Sequence, residues 1–187
     1  MAIRQKGFTL WLTGLPCAGK TTLANAVAAE LRRSGWRVQC LDGDRIRQKL
    51  SRDVGFSKED REIHVSRVAL TASFLARNGF AAIVSLISPY RSMRRDARQK
   101  IDRFIEVYVR CPLAVCEARD VKGMYRLARD GKIKNFTGVS DTYEEPLRPD
   151  VTVRTDRMGV KACANKILRV LEYREWILPD GKTRISA

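Results

Sequence analysis

Gly14, Gly19, Lys20 and Thr21 stand at the spacing G-x-x-x-x-G-K-[ST], which holds the phosphates of a nucleotide. The full stretch reads Gly14-Leu15-Pro16-Cys17-Ala18-Gly19-Lys20-Thr21-Thr22. Two glycines let successive backbone N–H groups turn inward on phosphate oxygens, and a helix opening here adds the positive end of its dipole. Lys20 then reaches the β- and γ-phosphates of ATP, and Thr21 ligates Mg²⁺. A second group able to do chemistry is Asp42-Gly43-Asp44. Alternate spacing at the end of a strand aims both carboxylates toward the phosphates. One of them can anchor Mg²⁺ through water while the other orients and deprotonates an attacking hydroxyl. The bland alternative is an Asp-Gly-Asp turn that only caps a helix.

The elements that must position these groups follow from the hydrophobic pattern. The apolar run Phe8-Thr9-Leu10-Trp11-Leu12 is a strand feeding the phosphate loop, and a helix runs from about Lys20 to Arg33, stopping at Ser34-Gly35. Val38 to Leu41 is a second strand that delivers Asp42 and Asp44, with a short helix carrying Arg45 and Arg47 behind it. Ser57-Lys58-Glu59-Asp60 is a capping box for a long helix to about Arg77. On that helix Ile63, Arg67, Leu70 and Phe74 share a face whose apolar members are expected to be buried. Ala81 to Ile87 is a near-continuous apolar strand ending at Ser88-Pro89-Tyr90-Arg91, and Phe104 to Val109 is a fourth. A basic helix from about Ser92 to Ile101 separates these two. A short helix with Cys116, Glu117 and Arg119 follows, then a fifth strand at Val151 to Val153 and a last helix from Val160 to Leu171. Strands alternating with helices imply an α/β P-loop NTPase fold: a doubly wound, mostly parallel five-stranded sheet with helices on both faces. Residues 120–150 lack strand signals and read as a mobile lid over the phosphates; residues 175–187 form a tail with a turn at Pro179-Asp180-Gly181-Lys182.

The 187 residues fit one domain with a core of useful size. No signal peptide or long apolar run is present, and five cysteines without a C-x-x-C pair suit reduced thiols in a cytoplasm. Cys17 sits where a helix N-terminus can lower a thiol pKa, and it reads best as an inert small residue. The net charge of +15 favours an anionic partner. Its Lys and Arg residues form no block of five and no aromatic interleaving, so no specific nucleic acid is expected, nor a membrane. The strands ending at Ser88-Pro89 and Arg110-Cys111-Pro112 supply no acid for Mg²⁺, which leaves Asp42 and Asp44 and the layout of a small-molecule kinase. His64 is the single histidine and builds no metal site with the scattered cysteines.

At this point the chain resembles the adenylylsulfate (APS) kinase family along nearly its whole length. The segments that carry the likeness are Gly14 to Thr22, Leu41-Asp42-Gly43-Asp44-x-Ile46-Arg47 and Gly55-Phe56-Ser57-x-Glu59-Asp60-Arg61. Ile87-Ser88-Pro89-Tyr90-Arg91, Asp120-Val121-Lys122-Gly123-Met124-Tyr125, Phe136-Thr137-Gly138 and Asp141-x-Tyr143-Glu144-x-Pro146 continue it. The resemblance implies phosphoryl transfer from MgATP to the 3′-hydroxyl of APS, giving 3′-phosphoadenylyl sulfate (PAPS) and ADP. It makes Phe56 and Phe136 stacking partners of the APS adenine, and Arg47 and Arg61 bidentate donors to the phosphosulfate. Ile87 and Ser88 line the acceptor pocket, Lys122 lies near the transferring phosphates, and Arg119, Thr155 and Asp156 fall where the family holds the ATP base. Family descriptions give Ser88 a phosphoserine intermediate; direct in-line transfer needs only positioning and charge neutralisation, which favours a substrate contact.

The pattern departs from the family in two places. Asp60-Arg61-Glu62-Ile63-His64-Val65-Ser66-Arg67 has His64 where many members have Asn and Ser66 where they have Arg, so His64 is expected to keep the substrate contact in altered form. Pro16-Cys17 replaces the commoner Ser-Gly, and neither side chain is needed to bind phosphate. The resemblance also implies a homodimer, and a separate ATP sulfurylase is compatible as a partner. Two other readings remain from the residues: a kinase of the same fold with another sugar or nucleotide-linked acceptor, and a basic nucleic-acid-binding nucleotide sensor, which would bind with a steep salt slope.

Overall fold

The computed structural model describes residues 6–179. Five parallel strands form one sheet in the order β2-β3-β1-β4-β5, with β1 at Phe8–Thr13, β2 at Val38–Asp42, β3 at Ala81–Ser85, β4 at Phe104–Arg110 and β5 at Val151–Arg154. The central strand β1 is buried along its whole length, because helices cover both faces and every residue of Phe8-Thr9-Leu10-Trp11-Leu12-Thr13 must be dry. One core layer joins Leu10, Leu12, Val27, Leu31, Ile105, Val107, Ile167 and Leu171; the other joins Trp11, Val65, Val68, Val84, Met93 and Phe104. The helices are α1 at Lys20–Arg33, α2 at Gly43–Leu50, α3 at Lys58–Arg77, α4 at Arg91–Lys100, α5 at Leu113–Arg119, α6 at Met124–Arg129 and α7 at Val160–Tyr173. No helix among the described residues is long and apolar enough to cross a membrane.

Two expectations need correction. The stripe Ile63, Leu70 and Phe74 on α3 faces outward, with exposures of 43%, 70% and 68%. Its buried face is instead Arg61, His64, Val65, Val68, Ala69, Ala72, Ser73 and Ala76. Small alanines let α3 lie close against the sheet, and the bulky residues turn away from that contact. Strand β3 stops at Ser85 instead of Ile87, because the chain swings out of the sheet as Ser88 takes a left-handed φ of 39°. Residues 120–150 contain the helix α6, and Tyr125, Phe136 and Thr137 within them are buried. Of the tail, Trp176 packs against Phe8 at 5.8 Å and Ile177 is buried; the expected turn from Pro179 runs on into residues outside those described.

Candidate active site

The phosphate loop leaves β1 at Gly14, where an added Cβ would sit 2.5 Å from the Val109 carbonyl oxygen, so only glycine fits against β4. Helix α1 begins at Gly19 in a left-handed conformation and its first turn has no side-chain cap. Its leading N–H groups are therefore available to an anion. Cys17 holds a φ of 57°, a left-handed backbone that glycine adopts without strain.

Lys20 Nζ donates to the carbonyl oxygens of Gly14 at 2.9 Å and Leu15 at 2.6 Å, so the ammonium is already poised inside the loop. Burial pulls its pKa down to about 8, while the nearby carboxylates Asp42 and Asp44 act in the opposite direction. Thr21 Oγ1 donates to Asp42 Oδ2 at 2.8 Å, and Ser85 Oγ donates to the same oxygen at 3.2 Å. Asp42 ends β2 and also caps α2 through Arg45 N, so the capping reading and the functional one coexist in one side chain. Asp44 does not follow Asp42 along a strand as expected; it lies in the first turn of α2, where it pairs with Lys122. That pair joins the mouth of the phosphate loop to the 120–150 segment.

On the β2–β3 side, Arg47 donates to Gly55 O at 2.7 Å and lies over the Phe56 ring at 4.5 Å, and Phe56 itself is 55% exposed. Arg61 is buried and donates to Phe56 O at 3.1 Å and to Asn135 O at 2.6 Å, with Asp141 at 3.5 Å. A guanidinium expected to bind substrate thus also fastens α3 to the 133–141 segment. Phe136 is buried, its ring meeting Tyr125 edge-to-face, and Ile87 is half-buried with its carbonyl accepting from Thr13 Oγ1 at 2.7 Å. The Ser88 hydroxyl does not face an open site. It is 1% exposed, accepts from Trp11 Nε1 at 3.0 Å and donates to Thr13 Oγ1 at 3.3 Å. Its oxygen is bonded within the scaffold, and its strained φ, worth about 1–3 kcal/mol, shapes the turn.

His64 is buried, bonds Ser51 Oγ through Nδ1 at 2.9 Å and leaves Nε2 without a partner. Burial first, then the charges of Arg47, Arg67 and Arg61, push its pKa down to about 4, so the ring is neutral at pH 7. The unfolded chain takes up this proton below about 6.5 while the folded protein refuses it until about 4. Stability should therefore fall as the pH drops through that window and flatten below it. Denaturation midpoints should show a smaller fall for His64→Asn than for the wild type over the same range; equal slopes would contradict the burial of a neutral ring.

On the opposite side of the loop, Arg119 donates to Thr155 O at 2.7 Å and Cys17 O at 3.3 Å, and Thr155 Oγ1 donates to Ala18 O at 2.8 Å. Asp156 accepts from Arg154 at 3.2 Å, and its buried Oδ1 has no partner. The positions expected to bind nucleotide, Gly14 to Thr22, Arg119, Thr155 and Asp156, are thus contiguous around the loop. Arg94 and Thr13 were not singled out from sequence, whereas Tyr143 lies in a segment that carries the family likeness; an Arg on a basic helix reads as surface until its burial is seen. Among the described residues no group of three or more His, Cys, Asp or Glu side chains could hold a metal.

The family model for adenylylsulphate kinase matches residues 6–154. The chain belongs to the adenylylsulphate kinase family. An adenylyl-sulfate kinase of Halothermothrix orenii is 51% identical over 177 residues, covering 94% of this chain and 96% of the relative. The solved Mycobacterium tuberculosis APS kinase, in complex with AMPPNP and APS, superposes with a TM-score of 0.86 at 38% identity, covering 89% of this chain and 98% of that one. A gluconokinase of Sinorhizobium meliloti shares the fold alone, at 19% identity and a TM-score of 0.61 over 91% of this chain and 94% of that one. The fold expectation of a P-loop α/β kinase holds, and the chain is an enzyme of the phosphotransferase class.

Proposed function

We propose that this enzyme transfers the γ-phosphoryl group of MgATP to the 3′-hydroxyl of APS, producing PAPS and ADP. The observation that carries the reading is the phosphate loop facing the Asp42–Asp44 turn and the Arg47, Phe56, Arg61 and His64 cluster, within a chain 51% identical to an adenylyl-sulfate kinase. Gly14 to Thr22 cradle the phosphates; Arg119, Thr155 and Asp156 border the ATP base. Phe56 and Phe136 flank the acceptor adenine; Arg47, Arg61 and neutral His64 address its phosphosulfate and ribose beside Ile87 and Ser88.

Asp44 accepts the proton of the attacking hydroxyl. Lys122, released from Asp44, moves onto the transferring phosphates together with Lys20. A hydroxyl and a carboxylate side by side, Thr21 and Asp42, fit the oxygen preference of Mg²⁺, which would be held there and neutralise phosphate charge. Residues 120–150 act as a lid that excludes water, so that ATP is not hydrolysed. The 187-residue chain works as a single catalytic domain and a homodimer in the cytoplasm, where its free cysteines stay reduced. An ATP sulfurylase is compatible as the partner that supplies APS.

The test is acceptor choice, since the gluconokinase neighbour shows that the fold serves other acceptors. ADP release from MgATP should depend on APS with a kcat/KM at least ~10³-fold above that for gluconate, because buried polar groups left unpaired by the wrong acceptor discriminate strongly. Comparable use of gluconate would overturn the assignment.

A further inference from the structure

We propose that Arg94 is a positioning residue that holds the acceptor-side turn and the root of the 120–150 segment in one register. The idea rests on the function proposed above for what that register serves. Arg94 lies on α4 and is 2% exposed, and its whole guanidinium is spent on three elements. Nε donates to Glu106 Oε1 of β4 at 2.8 Å, Nη1 to the Ser88 carbonyl at 2.6 Å, and Nη2 to the Glu144 carbonyl at 2.6 Å. Its Cζ also sits 5.7 Å above the Tyr143 ring. The Ser88 carbonyl belongs to the residue with the left-handed φ of 39°, so Arg94 bonds the strained point of the turn itself.

The same two segments meet again around Thr13, the last residue before the phosphate loop. Its Oγ1 donates to the Ile87 carbonyl, accepts from Ser88 Oγ and lies 3.0 Å from the Tyr143 hydroxyl. Glu144 in turn accepts from Arg91 N at 2.7 Å and donates its own N–H to Pro89 O at 2.8 Å. The acceptor turn 87–91 and the segment 141–145 are therefore laced together, with Arg94 as the only side chain among these that reaches both carbonyls and the sheet. Glu106 fixes Arg94 in place, being itself held through its N–H by Asp150 at 2.8 Å and lying 3.6 Å from Arg98. A planar fork with five donors can span two carbonyls and a carboxylate; an ammonium cannot.

Arg94→Lys isolates this role, because it keeps a charge beside Glu106 and loses the fork. The expected result is an increase of at least ~10-fold in KM for APS, with KM for MgATP within about twofold of wild type. In the same variant the amides of 87–91 and 141–145 should exchange with deuterium at least ~10-fold faster, together, while those of the phosphate loop are unchanged. A double variant, Arg94→Gln with Glu106→Gln, removes both buried charges and should give the same paired signature if Arg94→Lys does not fold. Loosening of one segment alone, or of neither, would overturn the tie. Joint loosening with an unchanged KM for APS would overturn the positioning role. If the wild type shows no APS-dependent turnover, the proposed function fails and the exchange measurement still judges the tie.

Discussion

Asp44→Asn should lower kcat for APS phosphorylation by about 10²–10⁴-fold while leaving the Kd for MgATP nearly unchanged. The side chain keeps its size and a hydrogen bond toward Lys122, so the turn after β2 stays formed; what it loses is the ability to accept a proton. Removing a charge from the first turn of α2 costs about 0.3–1 kcal/mol of helix stability, far less than the catalytic effect. Single-turnover measurements with saturating APS separate the two. A near wild-type rate would shift the base to Asp42, which stands two residues earlier and is tied to Thr21 and Ser85.

Lys20→Met should cost about 10²–10³-fold in kcat, since a preorganised charge at the phosphates acts where negative charge develops. The pH profile gives a second reading of the same residue. With a pKa near 8 in the free protein, Lys20 loses its proton as the pH rises through that value, and the phosphates bind the protonated form. The wild-type kcat/KM for MgATP should therefore decline above about pH 8, and the decline should be absent from the residual activity of Lys20→Met. A profile flat to pH 10 in the wild type would mean that the ammonium is not the desolvated group described here.

Much of this site was legible because its chemistry is local. The phosphate loop, its flanking strand and the start of α1 at Lys20 are consecutive in sequence, and the Ser57–Asp60 capping box marks the start of α3 directly. The outward turn of Ile63, Leu70 and Phe74 was not legible, since periodicity finds a stripe but does not say which stripe meets the sheet when a second stripe of alanines packs closer. Ser88 shows a similar limit. The family likeness attached a phosphoserine to it, yet Trp11, 77 residues away, holds its oxygen. Arg94 and Glu106 are ordinary charged residues in sequence; only long-range folding makes them a buried pair between α4 and β4. Local motifs carry the reacting groups, and the residues that set their register are separated along the chain.

The most direct test of the account is product analysis: wild-type protein is incubated with MgATP and APS, and ADP and the phosphorylated acceptor are quantified together, with phosphorus NMR locating the new ester. One PAPS for each ADP, with the phosphate on the 3′-oxygen and no ADP formed without APS, is the expected result. ADP accumulating without a matching 3′-phosphorylated product would contradict the assignment of the Arg47, Phe56, Arg61 and His64 cluster as the APS site.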